Sequence, residues 1–155
     1  MKKLHLAVAL ALATLSTIPA FAASATADVP VVINLTPVCQ ITTPGTLTFT
    51  YVSFQTGIST GVGGAFTIRC TTSLPYKVGF DATAAPALTK TVTASAANLQ
   101  LGYGLGLSGN TTGSGTGLTA IALSVTGTMA AGQSGTCATG AGCTATENNA
   151  VYVVY

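Results

Sequence analysis

Charge is the scarcest resource in this chain of 155 residues: it holds 5 Lys+Arg, 3 Asp+Glu, 1 His and no Trp. Two of the basic residues, Lys2 and Lys3, and the only histidine, His5, stand in the first five positions. Beyond them Arg69, Lys77 and Lys90 face Asp28, Asp81 and Glu147, and the formal side-chain charge is zero. This argues against nucleic-acid binding, because neutralising phosphates takes a cluster of Lys and Arg. Histidine catalysis is excluded. Disorder of the whole chain does not fit either, since 48% of the residues are hydrophobic and disorder goes with low hydrophobicity and high net charge.

Positions 1–22, MKKLHLAVALALATLSTIPAFA, join a basic start to an apolar stretch from Leu6 to Leu15, a Pro at 19 and small residues at Ala20 and Ala22. This predicts a signal peptide cut before Ala23. A membrane-spanning helix needs about 20 apolar residues, more than this stretch supplies. No later run escapes interruption by Gly, Thr or Ser. The mature protein is therefore expected to leave the cytoplasm.

Secretion decides how the cysteines are read. Cys39, Cys70, Cys137 and Cys143 are even in number and reach an oxidising compartment, so two disulfides are expected from three possible connectivities. The preferred pairs are Cys39 with Cys70, tying two strands, and Cys137 with Cys143, closing the Gly-rich loop CATGAGC. On the loop-entropy model these contribute roughly 3 to 4 and roughly 2 kcal/mol. Zinc is disfavoured: residues 23–155 have no His, and the spacings are not those of CxxC pairs.

The 28 threonines suit pleated surfaces, and few segments favour helix. Strand-like segments bounded by Gly, Pro or Asn run over 30–36, 46–54, 64–71, 76–82, 98–105, 118–128 and 150–155. Seven short strands in one secreted domain predict a β-sandwich. Residues 108–117 (SGNTTGSGTG) and 132–146 read as loops, the first as a mobile one. The glycines of Gly102-Tyr103-Gly104-Leu105-Gly106 predict a strand-end bulge, because no βαβ unit surrounds them to make a dinucleotide loop.

Val29, Val31, Ile33 and Leu35 alternate, and on an extended strand their side chains face one way. Pro30 and Pro37 lack a backbone N–H, which suits a central strand of the chain's own sheet poorly. Two readings stay open here: a first strand of the same sandwich, or a strand offered to another molecule. The sequence given stops in the strand-like run Val151-Tyr152-Val153-Val154-Tyr155. A sandwich that lacks a strand leaves an open edge that aggregates until another strand fills it.

Three stretches carry a resemblance. CQITTPGTLTFTYVSF from Cys39, GAFTIRCTTSLPYKVGFDA around Cys70, and LQLGYGLGL from Leu99, together with the terminal YVVY, resemble the spore coat protein U domain, the pilin module of archaic chaperone–usher pili. The most specific parts are the cysteine spacing with Thr71 after Cys70, Pro75-Tyr76, and the 101–107 segment. The family's Gly-x-Tyr-x-Asp approach to its last strand is replaced here by the Cys137–Cys143 loop and Glu147-Asn148-Asn149. The resemblance implies an all-β fold, an incomplete immunoglobulin-like β-sandwich completed by a donated strand, with residues 23–38 as the donor and 39–155 as the pilin domain. It implies Val29, Val31, Ile33 and Leu35 as the donor side chains, and a contact between the Tyr155 carboxylate and a periplasmic chaperone. The expected partners are copies of the chain in a head-to-tail filament, that chaperone and an outer-membrane usher. The expected place is the cell surface, reached through the periplasm, and the expected effect is adhesion and biofilm formation.

An enzyme would have to work with Asp28, Asp81 and Glu147, which read as solvated loop charges. No cofactor is expected. A tip adhesin resembles two domains in tandem, and 133 residues suit one; a monomeric coat-type protein would fold its own N-terminal strand. The Asn-x-Thr patterns at Asn34 and Asn110 match a glycosylation acceptor, which carries no weight if the source is bacterial.

Overall fold

The computed structural model describes residues 25–94 and 99–155, so the expected signal peptide at 1–22 lies outside the described residues. The chain divides into two units, residues 1–34 and 35–155. Residues 25–34 carry neither helix nor strand. Within 35–155 the described residues are all β, in eleven strands and without a helix.

The strands are β1 (Cys39–Ile41), β2 (Leu47–Thr48), β3 (Ser59–Thr60), β4 (Val62–Gly63), β5 (Ala65–Cys70), β6 (Pro75–Gly79), β7 (Thr89–Ala94), β8 (Leu101–Gly109), β9 (Thr112–Ser114), β10 (Ile121–Met129) and β11 (Tyr152–Val154). The largest sheet has the antiparallel order β1-β5-β10-β8-β7, with β3 pairing the far end of β10. A second sheet runs β11-β6-β9, and β2 pairs β4 in a third.

Residues 59–68 follow β10 along its whole length, but not as one regular strand. Gly61 N–H donates to Gly127 O at 2.9 Å and Val125 N–H to Gly64 O at 2.9 Å, while β4 turns aside to β2. Gly63 and Gly64 make this detour with φ of 115° and 80°. A Cβ at Gly63 would stand 2.0 Å from Thr46 O, and one at Gly64 2.4 Å from Val125 O. Both positions therefore require glycine.

One apolar core draws on two sheets. Phe66, Ile68 and Cys70 from β5, Leu123 and Val125 from β10, and Leu105 from β8 meet Tyr76 and Val78 from β6, with Phe80 just beyond it. The period of two in β5 and β10 is the cause: alternate side chains face inward. Leu47 and Phe49 lie over Gly127, where a Cβ would come within 2.4 Å of Phe49 Cζ.

Two expectations are corrected. Residues 108–117 are not a loop: β8 continues to Gly109, a φ of 103° there turns the chain, and β9 pairs with β6. Gly115 N–H donates to Leu74 O at 2.8 Å and Gly117 N–H to Cys70 O at 3.0 Å, which pins the segment's end. Nor do the glycines at 102, 104 and 106 form a bulge. They pair in unbroken register with β7 on one side, and Gly104 and Gly106 do so with β10 on the other.

Candidate functional site

Val29, Val31, Ile33 and Leu35 are 81%, 76%, 85% and 76% exposed, and residues 25–38 form no strand. Of the two readings left open by the sequence, a first strand in the chain's own sheet is therefore not what the described residues adopt. Backbone pairing begins at Val38. Its N–H donates to Thr71 Oγ1 at 3.0 Å and its carbonyl accepts from Thr71 N–H at 2.9 Å, which extends the β1–β5 ladder by one step.

That ladder places Cys39 directly opposite Cys70, and the two form a disulfide with a Cα–Cα distance of 4.0 Å. Cys137 and Cys143 form the second disulfide, in an exposed loop. Both preferred pairings are present. The first reaches the core through Cys70, whereas the second closes its own loop only.

The geometry of interest lies where the two larger sheets end. β1 is an edge of one sheet, β11 is an edge of the other, and Cα atoms of the two strands come within 8 Å of each other. β11 pairs with β6 through Tyr152–Gly79, Val153–Val78 and Val154–Lys77, and among the described residues nothing pairs with its other edge. Val151 and Val153 pack half-buried against the core, and Cys39 does so from β1. Tyr152 and Tyr155 are exposed. An open row of backbone N–H and C=O groups beside an apolar floor can accept an extended strand. The expected chaperone contact, Tyr155, adjoins this edge. Sequence reasoning marked the 150–155 run as a strand but did not pick out Val151 and Val153 as its inward pair, a distinction their spacing of two residues carries.

The three carboxylates do not behave alike. Asp28 lies in the segment without strand. Asp81 is not merely solvated: Oδ1 accepts from Thr83 Oγ1 at 2.6 Å and Thr83 N–H at 3.1 Å, and Oδ2 accepts from Ala87 N–H at 3.0 Å. These bonds, the Thr83 hydroxyl first, hold its carboxyl below the ordinary aspartate range. The loop they shape also receives Lys77 Nζ on Ala84 O at 2.9 Å.

Glu147 is likewise engaged. Tyr103 O–H donates to its Oε2 at 2.8 Å, and Asn149 Nδ2 donates to the Tyr103 oxygen at 3.0 Å. Burial first, and then the Glu147 carboxylate that accepts its proton, push the Tyr103 phenol above its ordinary range. The Tyr103 ring also meets Phe49 at 5.6 Å between centroids. The Glu147-Asn148-Asn149 stretch thus fastens the approach to β11 onto β8. Among the described residues no group of three or more His, Cys, Asp or Glu is placed to hold a metal ion.

On the outer face of the largest sheet an open depression of about 320 Å³ has Thr89, Thr91, Thr126 and Thr128 as its walls and Gly104 and Gly106 as its floor. Comparison with family models, with curated proteins and with solved structures finds no match for this chain.

Proposed function

We propose that the chain is the polymerising subunit of a surface fibre, a pilus, assembled by strand donation. In this reading residues 39–155 form an incomplete immunoglobulin-like sandwich, as in the spore coat U domain that the sequence resembles. Residues 23–38 of one copy complete the next. A periplasmic chaperone occupies the open edge first, with Tyr155 beside it, an outer-membrane usher carries the assembly out, and the fibre serves adhesion and biofilm formation.

The observation that carries the reading is a matched pair of features in one chain. Four alternating apolar side chains, Val29, Val31, Ile33 and Leu35, are exposed on a segment that forms no strand, and the edge of β11 is open above a half-buried floor of Val151 and Val153. Burying four such side chains is worth roughly 6 to 12 kcal/mol before ordering costs are subtracted. Because donor and acceptor are different surfaces, the contact is heterologous and propagates as an open filament.

The test is an unboiled detergent gel of material sheared from cells, comparing wild type with Ile33→Lys and with boiled controls. The expected result is a ladder of high-mass species that collapses to one subunit band on boiling and is absent from the variant. A single unboiled subunit band for both proteins would overturn the proposal.

A further inference from the structure

β11 is not the longest edge the molecule offers. β7 runs for six residues at the end of the largest sheet, against three each for β1, β9 and β11 at the other ends. It pairs with β8 from Thr89–Gly106 through Ala94–Leu101, and among the described residues nothing pairs with its outer edge. Its composition, TKTVTA, is rich in β-formers. By length and propensity β7 is the better template for an added strand, and six consecutive open positions are an aggregation hazard.

One residue sets β7 apart. Lys90 is the single charged side chain in any edge strand of the described residues: β1 reads CQI, β9 TGS and β11 YVV, and the short β2, β3 and β4 read LT, ST and VG. Lys90 stands opposite Leu105, which is buried in the core, so it shares that face of the sheet while its own side chain stays exposed at the edge. Thr89 and Thr91 take the other side, beside Gly106 and Gly104. A lysine on the core side of an edge strand blunts strand addition, because a pairing strand must bring a side chain over its solvated ammonium and strip its water.

Resting on the strand-donation reading, we infer that Lys90 guards the β7 edge against a second copy of this chain and so confines strand addition to β11. The occupant it excludes is β7 of another copy. Two such strands pair antiparallel about a two-fold axis, and keeping the core sides together sets Lys90 of each copy against Val92 or Ala94 of the other, or against Lys90 in a shorter overlap. Every such interface would desolvate two ammonium groups with no carboxylate in either strand.

The experiment compares wild type, Lys90→Val, Lys90→Gln and Lys90→Arg as full chains, in the fibre or monomer form each adopts. Association is read without detergent, by sedimentation velocity and by the fraction pelleted at low speed. Lys90→Val and Lys90→Gln are expected to self-associate about tenfold more tightly than wild type, and Lys90→Arg to match it. Lys90→Val and Lys90→Gln that sediment like wild type while retaining both disulfides would overturn the inference, as would Lys90→Arg associating like Lys90→Val. The detergent ladder of each variant is read in parallel. Its absence from wild type would sink the strand-donation reading alone, since lateral association through β7 does not use residues 23–38.

Discussion

Phe54 holds a φ of 60° in the turn from Val52 to Gln55, where Gln55 N–H donates to Val52 O at 3.1 Å. A left-handed backbone costs a side chain about 1 to 2 kcal/mol, and Phe54, 71% exposed, recovers little of it by burial. Its own N–H still serves the fold, donating to Gln133 O at 2.9 Å. Phe54→Asn keeps that bond and tolerates the conformation, so it is expected to raise stability by about 1 kcal/mol, measured by thermal unfolding. Asp81 gives a residue-scale prediction in pH. Its folded carboxyl is held low by Thr83 and Ala87, so its contribution is present above the ordinary aspartate range and is lost as pH falls through the depressed folded value. Wild type is therefore expected to lose stability between about pH 4 and lower values, and Asp81→Asn to show a shallower loss over that window. Parallel unfolding curves for the two proteins across acid pH would contradict it.

Among the elements, β5 and β10 carry the core, and Ile68 at the centre of β5 has no exposed surface. It pairs with Ile121 on one side and Ile41 on the other. Ile68→Ala is expected to cost about 2 to 5 kcal/mol in denaturant unfolding, against less than about 0.5 kcal/mol for the exposed Ile58→Ala. Strands of this kind were legible: β5, β6, β8, β10 and β11 fall within or across segments that alternate or run apolar, because one face of each is buried. β7 was not, since TKTVTA on an edge has no apolar period to read. The expected strand at 46–54 shows a different failure. Leu47, Phe49 and Tyr51 are the half-buried positions and do alternate, yet only Leu47–Thr48 pairs; Tyr51 O–H donates instead to Ala130 O at 2.9 Å and accepts Gln133 N–H at 2.9 Å. Alternation reports which side chains turn inward, and hydrogen-bonded pairing is a separate matter. Val29, Val31, Ile33 and Leu35 stood out by the same alternation, but the fastening of Tyr103 by Glu147 and Asn149 spans 44 and 46 residues, which no local pattern encodes.

For the molecule as a whole, the strand-donation reading separates what folds the domain from what joins one copy to the next. The disulfide from Cys39 to Cys70, the Val38–Thr71 bonds and the core all begin at or after Val38. The donor side chains, by contrast, are exposed in the single chain. Deleting residues 25–34 removes exposed surface from a segment without strand, so the unfolding free energy of the unassembled chain is expected to change by less than about 0.5 kcal/mol, with both disulfides retained. The same deletion removes Val29, Val31 and Ile33 and should abolish the detergent-resistant ladder. Unfolding of the deleted chain followed in denaturant, beside the gel, checks both halves. A large fall in stability would mean that residues 25–34 serve their own domain, and the fibre reading would lose its donor. Unchanged stability with an intact ladder would mean that copies join through some other surface.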